Sequence, residues 1–130
     1  MITRSVTVAK IRREYWEQIA DGRKQFELRD EEVEATSQAF VFMDASTGEH
    51  LGNARIISCT TFGGYEDSPW SWLMFSKLVD VPAAELKKLF PVAAKNIAEE
   101  YEMYLYEITP ISDDELLRNL FADSEKQGKD

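Results

Sequence analysis

The most constraining feature of the sequence is a change of hydrophobic period across one glycine. Tyr15, Trp16, Ile19 and Ala20 fall on one face of a helix predicted over residues 12–21. Ile11 is placed to staple against Tyr15 at its entry. Gly22 suits the left-handed position that ends a helix. Residues 25–29 then alternate, with Phe26 and Leu28 on one side and Gln25, Glu27 and Arg29 on the other. A short strand therefore follows the helix after one glycine-ended turn.

The flanking segments extend this pattern. Val6 and Val8 alternate with Ser5, Thr7 and Ala9, which predicts a first strand. Residues 39–43 are continuously apolar and read as a covered strand. Ser46-Thr47-Gly48 reads as a turn and residues 51–60 as a long strand, with Gly52 marking a bend or bulge. Residues 62–69 read as a glycine-containing loop, and residues 70–79 as an apolar segment that is buried or forms a lid. Pro82 sits at a helix start, with Leu86, Leu89 and Phe90 as the apolar stripe. Ala93, Ile97 and Tyr101 predict a further helix. Tyr104, Tyr106 and Ile108 predict a closing strand, and Ser112 with Glu115 a capping box before a last helix. Leu116, Leu117, Leu120 and Phe121 give that helix its apolar face, and residues 123–130 read as a frayed polar tail. With about five strands at hairpin spacing, the order predicts an α+β fold. It is a small mixed or antiparallel β-barrel with a helix after the first strand and further helices outside. The domain is placed at residues 1–111, followed by a C-terminal helix and tail at residues 112–130.

Rare residues exclude several chemistries. The single cysteine, Cys59, rules out an intrachain disulfide and a cysteine-based zinc site, and it reads as a small core residue. His50, the only histidine, lies in a turn rather than in a catalytic constellation. No metal cluster is visible and no cofactor is expected. No stretch approaches the ~20 apolar residues that span a bilayer. The first four residues show no apolar signal region, so the expectation is a cytoplasmic protein without a membrane partner.

Charge is unevenly distributed. The net charge is −9, yet residues 1–29 hold seven basic and four acidic side chains, against eight and twenty in the remainder. Binding to long duplex nucleic acid demands a broad basic face, which the acidic remainder denies. A small cationic cleft is still compatible with a short strand, a nucleotide or another small anion.

The densest polar cluster is Gly22-Arg23-Lys24-Gln25-Phe26-Glu27-Leu28-Arg29. Glu27 and Arg29 share one face of the predicted strand, with Lys24 at its mouth. Arginine is a rigid fork for phosphate or carboxylate, and lysine a mobile point charge. Glu27 is placed to hold Arg29 or to accept a base or sugar proton. The alternative is a surface ion-pair network of little energetic worth.

The segment also resembles the signature of the ASCH family, a branch of the PUA-like superfamily. The match runs through Val8-Ala9-Lys10-Ile11, Tyr15-Trp16 and Ile19 into Gly22, Lys24, Glu27 and Arg29, which follow the family's G-x-K-x-x-E-x-R pattern. Gly52, Ala54 and Ile56, with Tyr106 and Ile108, resemble the family's middle and closing strands. The resemblance covers roughly residues 5–110. Ala35-Thr36-Ser37-Gln38 stands where family members often carry a Gly-Asp pair. The resemblance implies a PUA-like pseudo-barrel whose cleft binds RNA or a nucleotide-like ligand. Relatives include an acetylcytidine amidohydrolase and ribonucleases. In the amidohydrolase the motif's lysine is catalytic, and a threonine nucleophile stands at the position of Glu27. A carboxylate does not replace that hydroxyl in amide cleavage, so an enzyme here would use Lys24 and Glu27 as an acid/base pair.

Tyr65, Trp70 and Trp72, on or beside the Gly63-Gly64 loop, are candidate stacking platforms. A base stacked on an aromatic gains about 1–3 kcal/mol. Arg12 and Arg13 extend the basic rim. The candidate ligand-binding set is therefore Arg13, Lys24, Glu27, Arg29, Tyr65, Trp70 and Trp72. The leading expectation is a module binding short single-stranded RNA, a nucleotide or a nucleoside. The alternatives are a small hydrolase of modified nucleosides or RNA, and a protein-interaction module using the last helix.

Overall fold

The computed structural model describes residues 4–63, 70–95 and 101–129, with side chains described as far as residue 121. The elements run β1 (Ser5–Ile11), α1 (Arg13–Ala20), β2 (Phe26–Arg29), β3 (Ser37–Asp44), β4 (His50–Phe62), α2 (Trp72–Val79), α3 (Ala83–Leu89), α4 (Pro91–Lys95), β5 (Met103–Ile111) and α5 (Asp113–Lys129). The sheet is five-stranded in the order β1-β3-β4-β5-β2. It is mixed: β1 runs parallel to β3, whereas β3–β4 and β2–β5 are antiparallel. This is the α+β class expected from the sequence, with the helix after the first strand and the remaining helices downstream.

The chain divides into two compact units. The first comprises Met1–Arg23, Val33–Ile57 and Ile108–Asp130. Its β3–β4 hairpin turns at Gly48, whose φ of +76° is cheap only without a Cβ. Asp44 donates its amide to the Glu49 carbonyl across that turn, at 2.7 Å. Phe40 and Phe42 are fully buried on β3 and stack at 5.4 Å, among Ala9, Ile11, Ile19, Ala39 and Ala54. Ala9 and Ile11 are buried, whereas Val8 is 66% exposed. The parallel register with β3, which a local alternation does not contain, selects which set of side chains points inward.

The β3–β4 register slips between Phe42 and Met43, opposite Gly52, so the glycine does mark an irregularity. Its physical reason is Trp16. A Cβ on Gly52 would lie 2.1 Å from Cζ2 of that ring, which in turn packs on Phe42 at 5.8 Å. Gly52→Ala is expected to destabilise the protein by about 1–3 kcal/mol through displacement of the indole. A chemical-denaturation midpoint measures this. An unchanged midpoint would mean that Trp16 swings away without loss.

The last helix is capped as predicted. Ser112 Oγ accepts the Glu115 amide at 3.1 Å and donates to Glu115 Oε1 at 3.4 Å. Leu116 is buried, but Leu117 and Phe121 are 53% and 57% exposed, so half of the expected apolar face stays in solvent. The expected frayed tail is instead a continuation of α5 as far as Lys129. A polar pair anchors its start. Asn53, 2% exposed, donates to Asp113 Oδ1 at 2.6 Å and accepts from His50 Nε2 at 3.0 Å.

The second unit comprises Lys24–Glu32 and Ser58–Glu107. Its core is Leu28, Trp70, Phe75, Val79, Val81, Leu86, Met103 and Leu105. Ser71 starts α2 by accepting the Met74 amide at 3.1 Å. Asp80 ends it in the left-handed conformation at φ 55°, which aspartate tolerates better than most residues. Leu73 remains 66% exposed, so α2 buries one face rather than all. Part of the helix expected around Ala93, Ile97 and Tyr101 lies outside the described residues. Tyr101 itself stands outside any helix. No helix of the described residues is long and apolar enough to cross a membrane.

Candidate functional site

The motif of the second unit starts where α1 ends. Gly22, at φ +84°, carries the chain out of the helix, and Lys24 follows two residues on. The lysine is only 5% exposed. The sequence places Lys24 as a mobile point charge at the mouth of the strand; the structure buries its ammonium beside that strand. Burial pushes its pKa below the usual lysine value. The negative charges of Glu27 and Asp80 oppose that shift, and Arg29 adds to it.

β2 holds the other two groups. Glu27 and Arg29 share a face, as the alternation predicts, and Arg29 Nη2 lies 2.8 Å from Glu27 Oε2. Their side chains are 9% and 26% exposed. Leu28 on the opposite face is 5% exposed, so the polar face of this strand is as deeply covered as the apolar one. Register with β5 supplies the reason. Glu27 stands opposite Tyr106 and Arg29 opposite Tyr104, so two buried tyrosines flank the ion pair. The Tyr104 hydroxyl donates to Glu102 Oε2 at 2.6 Å, and that carboxylate pushes its pKa up to about 12. Tyr104, Tyr106 and Asp80 are not among the site residues expected from the sequence. The period-two run containing both tyrosines was visible, but its pairing partner was not.

The site thus combines one ammonium, one guanidinium and one carboxylate, all largely withdrawn from water. The negative charge of Asp80 also acts on Lys24, so the two cations are set among two carboxylates. Such an arrangement can receive an anionic or carbonyl group on Lys24 and Arg29 and a donor group on Glu27.

The remaining candidates are distributed differently. Trp70 is 4% exposed and donates its indole N–H to the Tyr101 carbonyl at 2.6 Å. It stacks on Phe75 at 5.2 Å, so its structural place is in the core. Trp72, half-buried at the start of α2, meets Trp70 edge-on at 5.0 Å and keeps part of its ring in solvent. Tyr65 lies outside the described residues. Cys59 is exposed on β4, not in the core as expected. Desolvation by its neighbours raises its pKa, against the hydrogen bond from Tyr106.

Arg13 belongs to the first unit and is already engaged. Its Nη2 lies 3.0 Å from Asp44 Oδ2 and 2.6 Å from Glu49 Oε2. The Asp44 carboxyl, 6% exposed, is held below its usual pKa first by the Ser46 amide and then by Arg13. The basic rim expected at this position is therefore a clamp between the start of α1 and the β3–β4 turn. Among the described residues, no group of three His, Cys, Asp or Glu side chains stands where it would hold a metal ion.

No family model and no curated protein matches the sequence. Solved structures do. A mutant of the ASCH protein of Zymomonas mobilis superposes with a TM-score of 0.59 at 15% identity, covering 87% of this chain and 79% of that one. The ASCH domain of Lactobacillus crispatus superposes with a TM-score of 0.52 at 9% identity, covering 80% and 79%. A protein of Enterococcus faecalis gives 0.51 at 13% identity, covering 90% and 74%. The strand–helix–strand entry, the mixed sheet and these superpositions agree: the chain has an α+β fold like that of the ASCH structures.

Proposed function

We propose that the protein binds a short single-stranded RNA or a nucleotide-like small ligand at Lys24, Glu27 and Arg29. The observation that carries this reading is the burial of Lys24 beside the Glu27–Arg29 pair. Glu27 and Asp80 offset part of the cost of burying this ammonium, and a ligand anion adds to that compensation. A nucleobase edge or phosphate meets the two cations, while Glu27 takes a base N–H or sugar hydroxyl.

Titration with short single-stranded RNA, nucleotides and nucleosides at two salt concentrations tests the reading. Arg29→Ala is expected to weaken binding roughly tenfold or more, as for a charged hydrogen-bond partner. Equal affinity of that variant and wild type, or no saturable binding at all, would overturn it.

The lowered pKa of Lys24 favours one second reading, hydrolysis of a modified nucleoside. A buried amine with a larger neutral fraction is a better general base for water. Turnover of acylated nucleosides, lost in both Lys24→Ala and Glu27→Gln by mass spectrometry, would establish it.

A further inference from the structure

Positive charge in the second unit is confined to two places. Lys24 and Arg29 belong to the motif; the unit's other basic residues, Lys77, Lys87, Lys88 and Lys95, all lie on α2, α3 and α4. Of the unit's many acidic residues, only Asp80 and Glu85 fall between residues 72 and 95. We infer that the occupant of the motif is a single-stranded oligonucleotide rather than a free nucleotide, and that Lys77, Lys87 and Lys88 hold its phosphates beyond the motif. This rests on the reading of Lys24, Glu27 and Arg29 as a nucleotide site.

Topology brings these lysines towards the motif. α2 packs against β2, the strand that carries Glu27 and Arg29, and α3 packs against α2. Lys77 stands one turn before Asp80, the residue at the end of α2 whose charge acts on Lys24. Lys87 and Lys88 lie in the last turn of α3. All three are exposed, whereas Lys24 is buried. The withdrawn charges of the motif suit one nucleotide, and the solvent-facing cations of the neighbouring helices suit the strand that continues from it.

The residue type points the same way. The three cations are lysines, mobile point charges on flexible stems, which follow phosphates along a strand of variable path. The rigid guanidinium fork stands at the motif, in Arg29. In a chain of net charge −9, a polyanion is attracted only where positive charge is gathered. Each lysine that neutralises a phosphate releases a counterion, so binding of the strand acquires a salt dependence that binding of one nucleotide lacks.

Titration of the full chain with octauridylate and octaadenylate, and with the matching nucleoside monophosphates, between about 50 mM and about 200 mM salt tests this. The octamers are expected to bind more tightly than the monophosphates and to lose affinity more steeply with salt. The double substitution Lys87→Gln, Lys88→Gln is expected to lower the logarithmic salt slope for the octamers by about 0.7 for each lysine removed, with Lys77→Gln lowering it by about 0.7. Octamer affinity should fall several-fold in the double variant while monophosphate binding stays at the wild-type level. Arg29→Ala should weaken both kinds of probe. Equal affinity for octamers and monophosphates, or a wild-type salt slope in the double variant, would overturn the assignment and leave the motif's nucleotide site standing. Loss of monophosphate binding in the double variant would overturn it as well, because the lysines would then serve the motif and not the strand. Binding of no probe by the wild type would overturn both.

Discussion

Replacing Glu27 with alanine is expected to cost about 3 kcal/mol of folding stability, a large share of what holds a domain of this size together. Glu27 is 7% exposed, and its carboxylate lies 2.8 Å from Arg29 Nη2 with Lys24 nearby. Removing it takes away the carboxylate that Arg29 and Lys24 share and leaves Asp80 as a negative charge acting on Lys24. A fully buried pair broken in this way costs about 3–5 kcal/mol. The lower end applies because the Arg29 side chain is 26% exposed and water reaches part of it. The unfolding midpoint should fall by about 10 °C. Glu27→Gln separates charge from shape. It keeps an acceptor for Arg29 and the contact with Tyr106, so it should lose less than the alanine variant. If Glu27→Ala costs less than about 1 kcal/mol, the pair behaves as a solvent-screened surface bridge.

That pair was legible in the sequence for a simple reason. Phe26 and Leu28 alternate with Glu27 and Arg29, and a strand puts alternate residues on one face. Gly22, with its positive φ, likewise announced the end of α1. The depth of the site was not legible. Lys24 is buried by elements distant in sequence, and Asp80 reaches it from the end of α2. Tyr104 and Tyr106 face β2 only through an antiparallel register spanning some eighty residues of chain. Arg13 illustrates the same limit. Its composition and position suggested a ligand contact, but Asp44 and Glu49, 31 and 36 residues on, take its guanidinium instead. Trp70 stood in an ambiguous apolar run, and the Tyr101 carbonyl that receives its N–H is 31 residues away. Local periodicity gives faces; which face meets what is decided by non-local pairing.

Lys24→Met is expected to have the opposite profile from Glu27→Ala: stability kept or raised, ligand affinity lost. Methionine fills a similar volume without a charge to desolvate. Burial is the leading cause of the lysine's lowered pKa, and a base whose pKa is lower in the folded state sheds its proton more readily there. Between the folded value and the ordinary 10.5, the unfolded chain binds more protons than the folded one. Stability contributed through Lys24 therefore rises with pH across that window and is lowest below it. The charged lysine is a net cost to folding at neutral pH, and the variant removes it. Thermal unfolding followed from neutral to alkaline pH should show this rise in wild type and a flatter profile in Lys24→Met. Binding should move the other way, weakening roughly ten- to hundredfold as one charged partner of the ligand disappears. A drop in the melting temperature at neutral pH would mean that attraction to Glu27 and Asp80 outweighs desolvation, making Lys24 a structural counter-ion. Retained stability together with lost affinity would identify a cation kept in the core for its ligand, at the expense of the fold.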